Sequence, residues 1–93
     1  MSAYMPYDFF QTDYFTESVR ELEKRNPELL IQLKKKIAQI SENPYGIGKW
    51  MHGRYAAVRE VHVMGKRFVL FYTIDENKKL VTLVKFGHHP KKY

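Results

Sequence analysis

Apolar side chains along this chain recur first at a helical period and then at the period of strands. Phe15, Val19 and Leu22 lie four and three apart, which gathers them on one helix face and leaves Glu17, Arg20, Glu21 and Lys24 outside. Thr12 or Asp13 can open that helix, because a short oxygen-bearing side chain accepts from the free amides of a first turn. It ends near Arg25. Asn26-Pro27-Glu28 starts a second helix: asparagine caps, proline is tolerated at the first helical position, and glutamate suits the positive end of the dipole. Leu30, Leu33, Ile37 and Ile40 form its apolar stripe, and Asn43-Pro44 stops it. Ahead of both helices, Tyr7-Asp8-Phe9-Phe10 reads as a first strand bounded by Pro6.

Residues 54–63, 67–75 and 80–86 are rich in Val, Phe, Tyr and Leu and are separated by turns at Met64-Gly65-Lys66 and Glu76-Asn77-Lys78-Lys79. Connections this short make only antiparallel pairs, hence a three-stranded meander. Gly87 is expected to end the last strand, with Pro90 preventing the ladder from continuing. The order β-α-α-β-β-β predicts one α+β domain over residues 1–93: a helical hairpin packed on one face of a small antiparallel sheet. The opposite face is left partly open, a floor for a site.

Composition narrows the class. Ninety-three residues suffice for one core, and 14 aromatics with 44% hydrophobic residues argue for a folded globule. There is no cysteine, which excludes disulfides and thiolate zinc sites. No apolar run reaches the length of a membrane span, and the start lacks the order of a signal peptide, so a cytoplasmic protein is expected. The net charge of +6 is unevenly placed: residues 1–48 carry six Lys/Arg against seven Asp/Glu, residues 49–93 ten against three. All four histidines lie in the basic half. Such a one-sided field suits a polyanion or an acidic protein.

Period-two alternation puts Glu60 and His62 on one strand face and Arg59, Val61 and Val63 on the other. The valines belong to the core, which sends Glu60 and His62 to the open face and makes Arg59 a structural ion-pair partner. The pairing of these strands is not phased by sequence, so the face of Lys85 relative to His62 stays unassigned. Imidazoles can exchange protons near neutral pH, and neighbouring ammoniums attract anions, a combination suited to proton transfer at a phosphate. His52, His62, His88 and His89 match no zinc spacing. Lys34-Lys35-Lys36 spreads around its helix as a solvated face, and the loop Tyr45-Gly46-Ile47-Gly48 lacks the spacing of a phosphate loop. Trp50 and Tyr93 can stack on bases, although an aromatic so close to a sheet more often serves packing.

The ordered strings Lys49-Trp50-Met51-His52-Gly53, Val58-Arg59-Glu60-Val61-His62-Val63, Gly65-Lys66-Arg67-Phe68-Val69-Leu70-Phe71-Tyr72 and Lys85-Phe86-Gly87-His88-His89, with Tyr93, resemble the RelE/ParE toxin superfamily. The likeness covers nearly the whole chain and is strongest to the YafQ-like branch. It implies a RelE-like fold and the toxin of a type II toxin–antitoxin system, a ribosome-dependent endoribonuclease that cuts messenger RNA in the A site and inhibits translation. By position, the resemblance puts a catalytic histidine at His62, a terminal histidine at His89, a C-terminal aromatic at Tyr93, and basic residues at Lys49 and Lys85. Arginine is usual at the last of these; lysine keeps the charge without the bidentate fork. The implied roles are His89 as acid, His62 or Lys49 as base, Lys85 and Lys49 on the phosphate, and Tyr93 against a base. His52, Arg54, Lys66, Arg67, Lys91 and Lys92 would bind RNA backbone. The implied partners are an acidic antitoxin, through which the chain would oligomerise, and the ribosome with its message; no cofactor, metal or membrane is expected. The competing expectations are a non-catalytic, ParE-like gyrase binder and a degenerate toxin that only binds.

Overall fold

The computed structural model describes residues 6–50 and 57–88. The chain runs through β1 (Asp8–Gln11), α1 (Asp13–Arg25), α2 (Pro27–Glu42), β2 (Lys49–Trp50), β3 (Arg59–Val63), β4 (Phe68–Asp75) and β5 (Leu80–His88). The strands form one sheet in the order β1-β5-β4-β3-β2. The expected meander is present as β3, β4 and β5, each antiparallel to the next.

Two features modify the expected sheet. β1 pairs with β5 in parallel, from Asp8 opposite Leu80 to Gln11 opposite Leu83, so the sheet is mixed rather than purely antiparallel. A strand whose partner lies at the far end of the chain has no hairpin turn to announce its direction. At the other edge, Lys49 and Trp50 add a short strand antiparallel to β3, too brief to register as a pattern.

The helices form where their caps dictate. Thr12 Oγ1 accepts from the Phe15 amide at 3.0 Å, and Asn26 Oδ1 accepts from the Leu29 amide at 3.1 Å. Asn26 also ends α1, its amide donating to the Leu22 carbonyl at 2.9 Å, so one residue closes the first helix and opens the second. α1 buries Phe15, while α2 buries Leu29, Leu33 and Ile40; Leu29 takes the deep place expected for Leu30. These side chains pack on Val61, Val63, Phe68, Leu70, Tyr72, Val81, Leu83 and Phe86, all from one sheet face. Full burial of each aliphatic or Phe side chain contributes about 1.5–3 kcal/mol. The hairpin therefore covers that face.

β5 does not break at Gly87, which pairs with Val69 inside the ladder, and the strand continues to His88. Its irregularity lies earlier. Phe71 pairs with Lys85 but Tyr72 with Leu83, so Val84 is an extra residue, a β-bulge. Val81, Leu83 and Phe86 all reach the core because the bulge rephases the alternation between Leu83 and Phe86. Without it, Lys85 would follow Val81 and Leu83 to the helix side.

A polar knot ties the far end of the sheet. Glu76 Oε1 accepts from the Tyr7 hydroxyl at 2.6 Å and the Tyr45 hydroxyl at 3.0 Å, while Glu76 Oε2 pairs with Lys79 Nζ. This joins the start of β1, the segment after α2 and the β4–β5 turn. No helix among the described residues is long and apolar enough to cross a membrane.

Candidate nucleic-acid interface

The face opposite the helices carries a continuous row across four strands. Lys49 stands opposite Glu60, Glu60 opposite Phe71, and Phe71 opposite Lys85. Directly opposed residues share a face, so these side chains project to the same side. At about 4.8 Å per strand, the two lysine Cα atoms stand about 14 Å apart. A second row runs His62, Val69, Gly87, about 7 Å further along the strands. His62 and Lys85 therefore share a face, the relation that sequence left unassigned.

The row is charged at both ends. Lys49 and Lys85 are exposed, His62 is half-buried, and Glu60 retains only 8% of its exposure. An ammonium on either flank of a buried carboxylate makes a surface that attracts anions at its margins. Phe71, half-buried, lies between the polar groups, while Val69 in the second row is fully buried.

Lys49 sits at the end of a loop that is held from below. The Arg59 guanidinium donates through Nη2 to the carbonyls of Tyr45, Ile47 and Gly48 at 3.1, 3.2 and 3.1 Å. It also lies 4.6 Å from the Trp50 ring centre and 5.9 Å from that of Tyr45. The expected ion pair is replaced by these carbonyls and rings: a guanidinium with five donors can saturate a loop's oxygens without a carboxylate. Tyr72 completes the clamp. Its hydroxyl lies 2.8 Å from both the Pro44 and Ile47 carbonyls and accepts from Arg59 Nε at 3.4 Å. Burial pushes the Tyr72 phenol up from its ordinary value, while the Arg59 hydrogen bond and charge oppose the shift. Gly48 has φ +74°, and a Cβ there would come 2.8 Å from the Glu60 carbonyl oxygen and 2.9 Å from the Tyr72 hydroxyl. Only glycine fits that approach.

Lys85 is held from the other edge. Thr12 donates its hydroxyl proton to the carbonyl of the bulge residue Val84 at 2.7 Å, and its amide donates to Leu83 at 3.2 Å. The same hydroxyl caps α1. The helix therefore starts at a fixed place beside the bulge, with the Tyr14 ring centre 5.2 Å from Lys85 Nζ.

Of the residues singled out from sequence, Lys49, His62 and Lys85 are brought to one face. Lys66 and Arg67 are exposed in the β3–β4 turn, at the end of the sheet where His62 lies. His52, Arg54, His89, Lys91, Lys92 and Tyr93 lie outside the described residues. His88 pairs with Phe68 and holds its ring 4.7 Å from that of Phe68, which places it on the helix side, away from the lysines. Lys34, Lys35 and Lys36 belong to α2, in the layer behind the sheet. The Arg59 clamp and Tyr14 are site features that the sequence pattern does not single out. The signal for the first was the arginine among core valines; Tyr14, on the polar side of α1, gave none.

No family model matches the chain. A curated protein of Methanocaldococcus jannaschii named "Putative toxin RelE4" is 36% identical over 75 residues, covering 81% of this chain and 78% of that protein. Solved structures share the fold at lower identity. The YoeB/ParE toxin from Agrobacterium tumefaciens superposes with a TM-score of 0.79 at 10% identity, covering 89% of this chain and 99% of that one. The E. coli DinJ-YafQ complex gives 0.74 at 19%, covering 89% and 93%. The isolated E. coli RelE toxin gives 0.69 at 19%, covering 92% and 87%. With the helical hairpin, the mixed sheet and the relative's identity in agreement, the chain belongs to the RelE family of the RelE/ParE superfamily, toxins of toxin–antitoxin systems.

Proposed function

We propose that this toxin is a ribosome-dependent endoribonuclease that cuts messenger RNA in the A site and thereby stops translation in the cytoplasm. The observation that carries the reading is the placement of Lys49, His62 and Lys85 on one sheet face. Two cations and an imidazole are the groups that cleavage through the ribose 2′-hydroxyl requires. In the proposed step, His62 or Lys49 removes the 2′-hydroxyl proton, the freed oxygen forms a bond to phosphorus, and the bond from phosphorus to the 5′-oxygen breaks. The leaving oxygen takes a proton from His89, and the products end in a 2′,3′-cyclic phosphate and a 5′-hydroxyl. Lys49 and Lys85 neutralise the crowded phosphorane, and Tyr93 orients a base.

His52, Arg54, Lys66, Arg67, Lys91 and Lys92 hold the RNA backbone in this reading, contacts that are salt-sensitive and indifferent to sequence. An acidic antitoxin is the proposed partner and the route to oligomers, supported by structural relatives that are themselves toxin–antitoxin complexes, RelBE2 of Mycobacterium tuberculosis and DinJ-YafQ.

The test uses ribosomes programmed with a defined message and maps the new ends. Wild-type protein should cut within the A-site codon, and His62→Ala and His89→Ala should each slow cutting by about 10²–10⁴. Wild-type cutting rates in both variants would reject the assignment. Inhibition of gyrase supercoiling by a protein that leaves message intact would make it a binder instead.

A further inference from the structure

The region around Lys85 has a construction that the proposed cleavage does not use. Tyr14 is 60% exposed and Phe10 58% exposed, two large aromatic side chains left in solvent. Phe10 pairs with Thr82 and Thr82 with Thr73, two residues along β4 from Phe71. Phe10 therefore projects to the Lys85 face while its neighbour Phe9 packs on the core. Tyr14 approaches the same ammonium from α1, its ring centre 5.2 Å from Lys85 Nζ. Neither placement is loose. Thr12, midway between the two rings in sequence, is anchored to Leu83 and to the bulge carbonyl of Val84.

We infer that Tyr14, with Phe10 exposed on the same face, forms a stacking platform for an unpaired nucleobase whose phosphate is taken by Lys85. The inference rests on the RNA-cleaving reading and adds a base-binding subsite to it. Any base offers a π face to an exposed ring, so the platform favours single-stranded over paired nucleic acid and is tolerant of sequence. A cation fixed beside the ring complements the phosphate attached to the same nucleotide. The bulge serves both ends of the device: it turns Lys85 outward and supplies the carbonyl that anchors Thr12, two residues before Tyr14.

The test presents 2-aminopurine in the A-site codon of a programmed ribosome, with 2′-deoxyribose at the cut position so that the message survives. Base stacking on an aromatic ring quenches this fluorophore. Wild-type protein and Tyr14→Phe should bind with equal affinity and quenching, whereas Tyr14→Ala should bind about tenfold or more weakly and lose the quench, with Phe10→Ala intermediate. Binding by Tyr14→Ala within twofold of wild type, in a protein with wild-type circular dichroism, would overturn the platform. So would an equal loss in Tyr14→Phe, which would make the hydroxyl rather than the ring the contact. Cutting of an unmodified message by wild-type protein is scored in parallel, so a failed platform with intact cutting is separate from a failed ribonuclease reading.

Discussion

Arg59 and Trp50 face each other across the β2–β3 pair with the guanidinium 4.6 Å from the indole ring centre, and the same guanidinium donates to the Gly48 carbonyl. It thus holds the residues on both sides of Lys49. Arg59 is 4% exposed, so removing it strands carbonyls with little water to replace it. Arg59→Ala should cost about 3 kcal/mol, read as a fall in the urea midpoint without a change in slope. Arg59→Lys should recover part of the stability but not the fork, and should slow cutting more than it weakens message binding.

Tyr72→Phe isolates the hydroxyl in the same clamp. The ring fills the same core volume, and only the bonds to Pro44, Ile47 and Arg59 are lost. A cost of about 1–2 kcal/mol is expected. Gly48→Ala should cost at least as much, because the new methyl meets the Glu60 carbonyl and the Tyr72 hydroxyl at a backbone angle that disfavours alanine. Thermal or urea unfolding of the two variants checks the order.

Glu76 gives a pH dependence of known sign. The Lys79 and Tyr7 hydrogen bonds hold its carboxyl at about 2, down from 4.5. A carboxylate depressed in the folded state stabilises the fold above its unfolded value, and that contribution is lost as pH falls from about 4.5 toward 2. Glu76→Gln should therefore show a shallower loss of stability than wild type across that window. Because the group is exposed to water, salt should shrink the difference. Urea midpoints measured at intervals from neutral pH into that window, at low and high salt, are the check.

Thr12 has two jobs for one hydroxyl, capping α1 and holding the bulge carbonyl of Val84. Thr12→Val keeps the shape and removes both. A loss of about 1–2 kcal/mol follows from the cap alone. If the bulge relaxes with it, Lys85 loses its outward register, and cutting should fall in a variant that remains folded at assay temperature.

Much of this architecture was legible because the signals are local. Asn26-Pro27 marks the joint between helices by the chemistry of capping, and the meander follows from turns too short for any other pairing. Alternation along β3 was enough to separate Val61 and Val63 from Glu60 and His62. The parallel pairing of β1 was not legible, since no local feature of Asp8–Gln11 records a partner so distant in the chain. Lys85 was harder still. Its face depends on a one-residue bulge, and the trace of that bulge in sequence is the step from Val81 and Leu83 to Phe86, where period two would require an apolar residue at position 85. The place of Arg59 among core residues is legible from alternation along β3, but its partners are carbonyls, which no sequence pattern advertises.

Lysine at position 85 makes the last prediction a comparison of geometries. Its ammonium is a point charge that can satisfy one phosphate oxygen well, whereas a guanidinium spans two in a planar fork. The bulge fixes the backbone here, and Gly87, where a Cβ would meet nothing within 4 Å, leaves room on the neighbouring row. Lys85→Arg should therefore be accepted by the fold and should cut message as fast as wild type or faster. Lys85→Ala removes a cation that acts where charge builds up in the transition state, and should lower the rate by about 10²–10³ with a smaller effect on binding. Single-turnover cutting on programmed ribosomes separates the two quantities; equal rates for wild type, Lys85→Arg and Lys85→Ala would remove Lys85 from the chemistry and leave it only its place beside Tyr14.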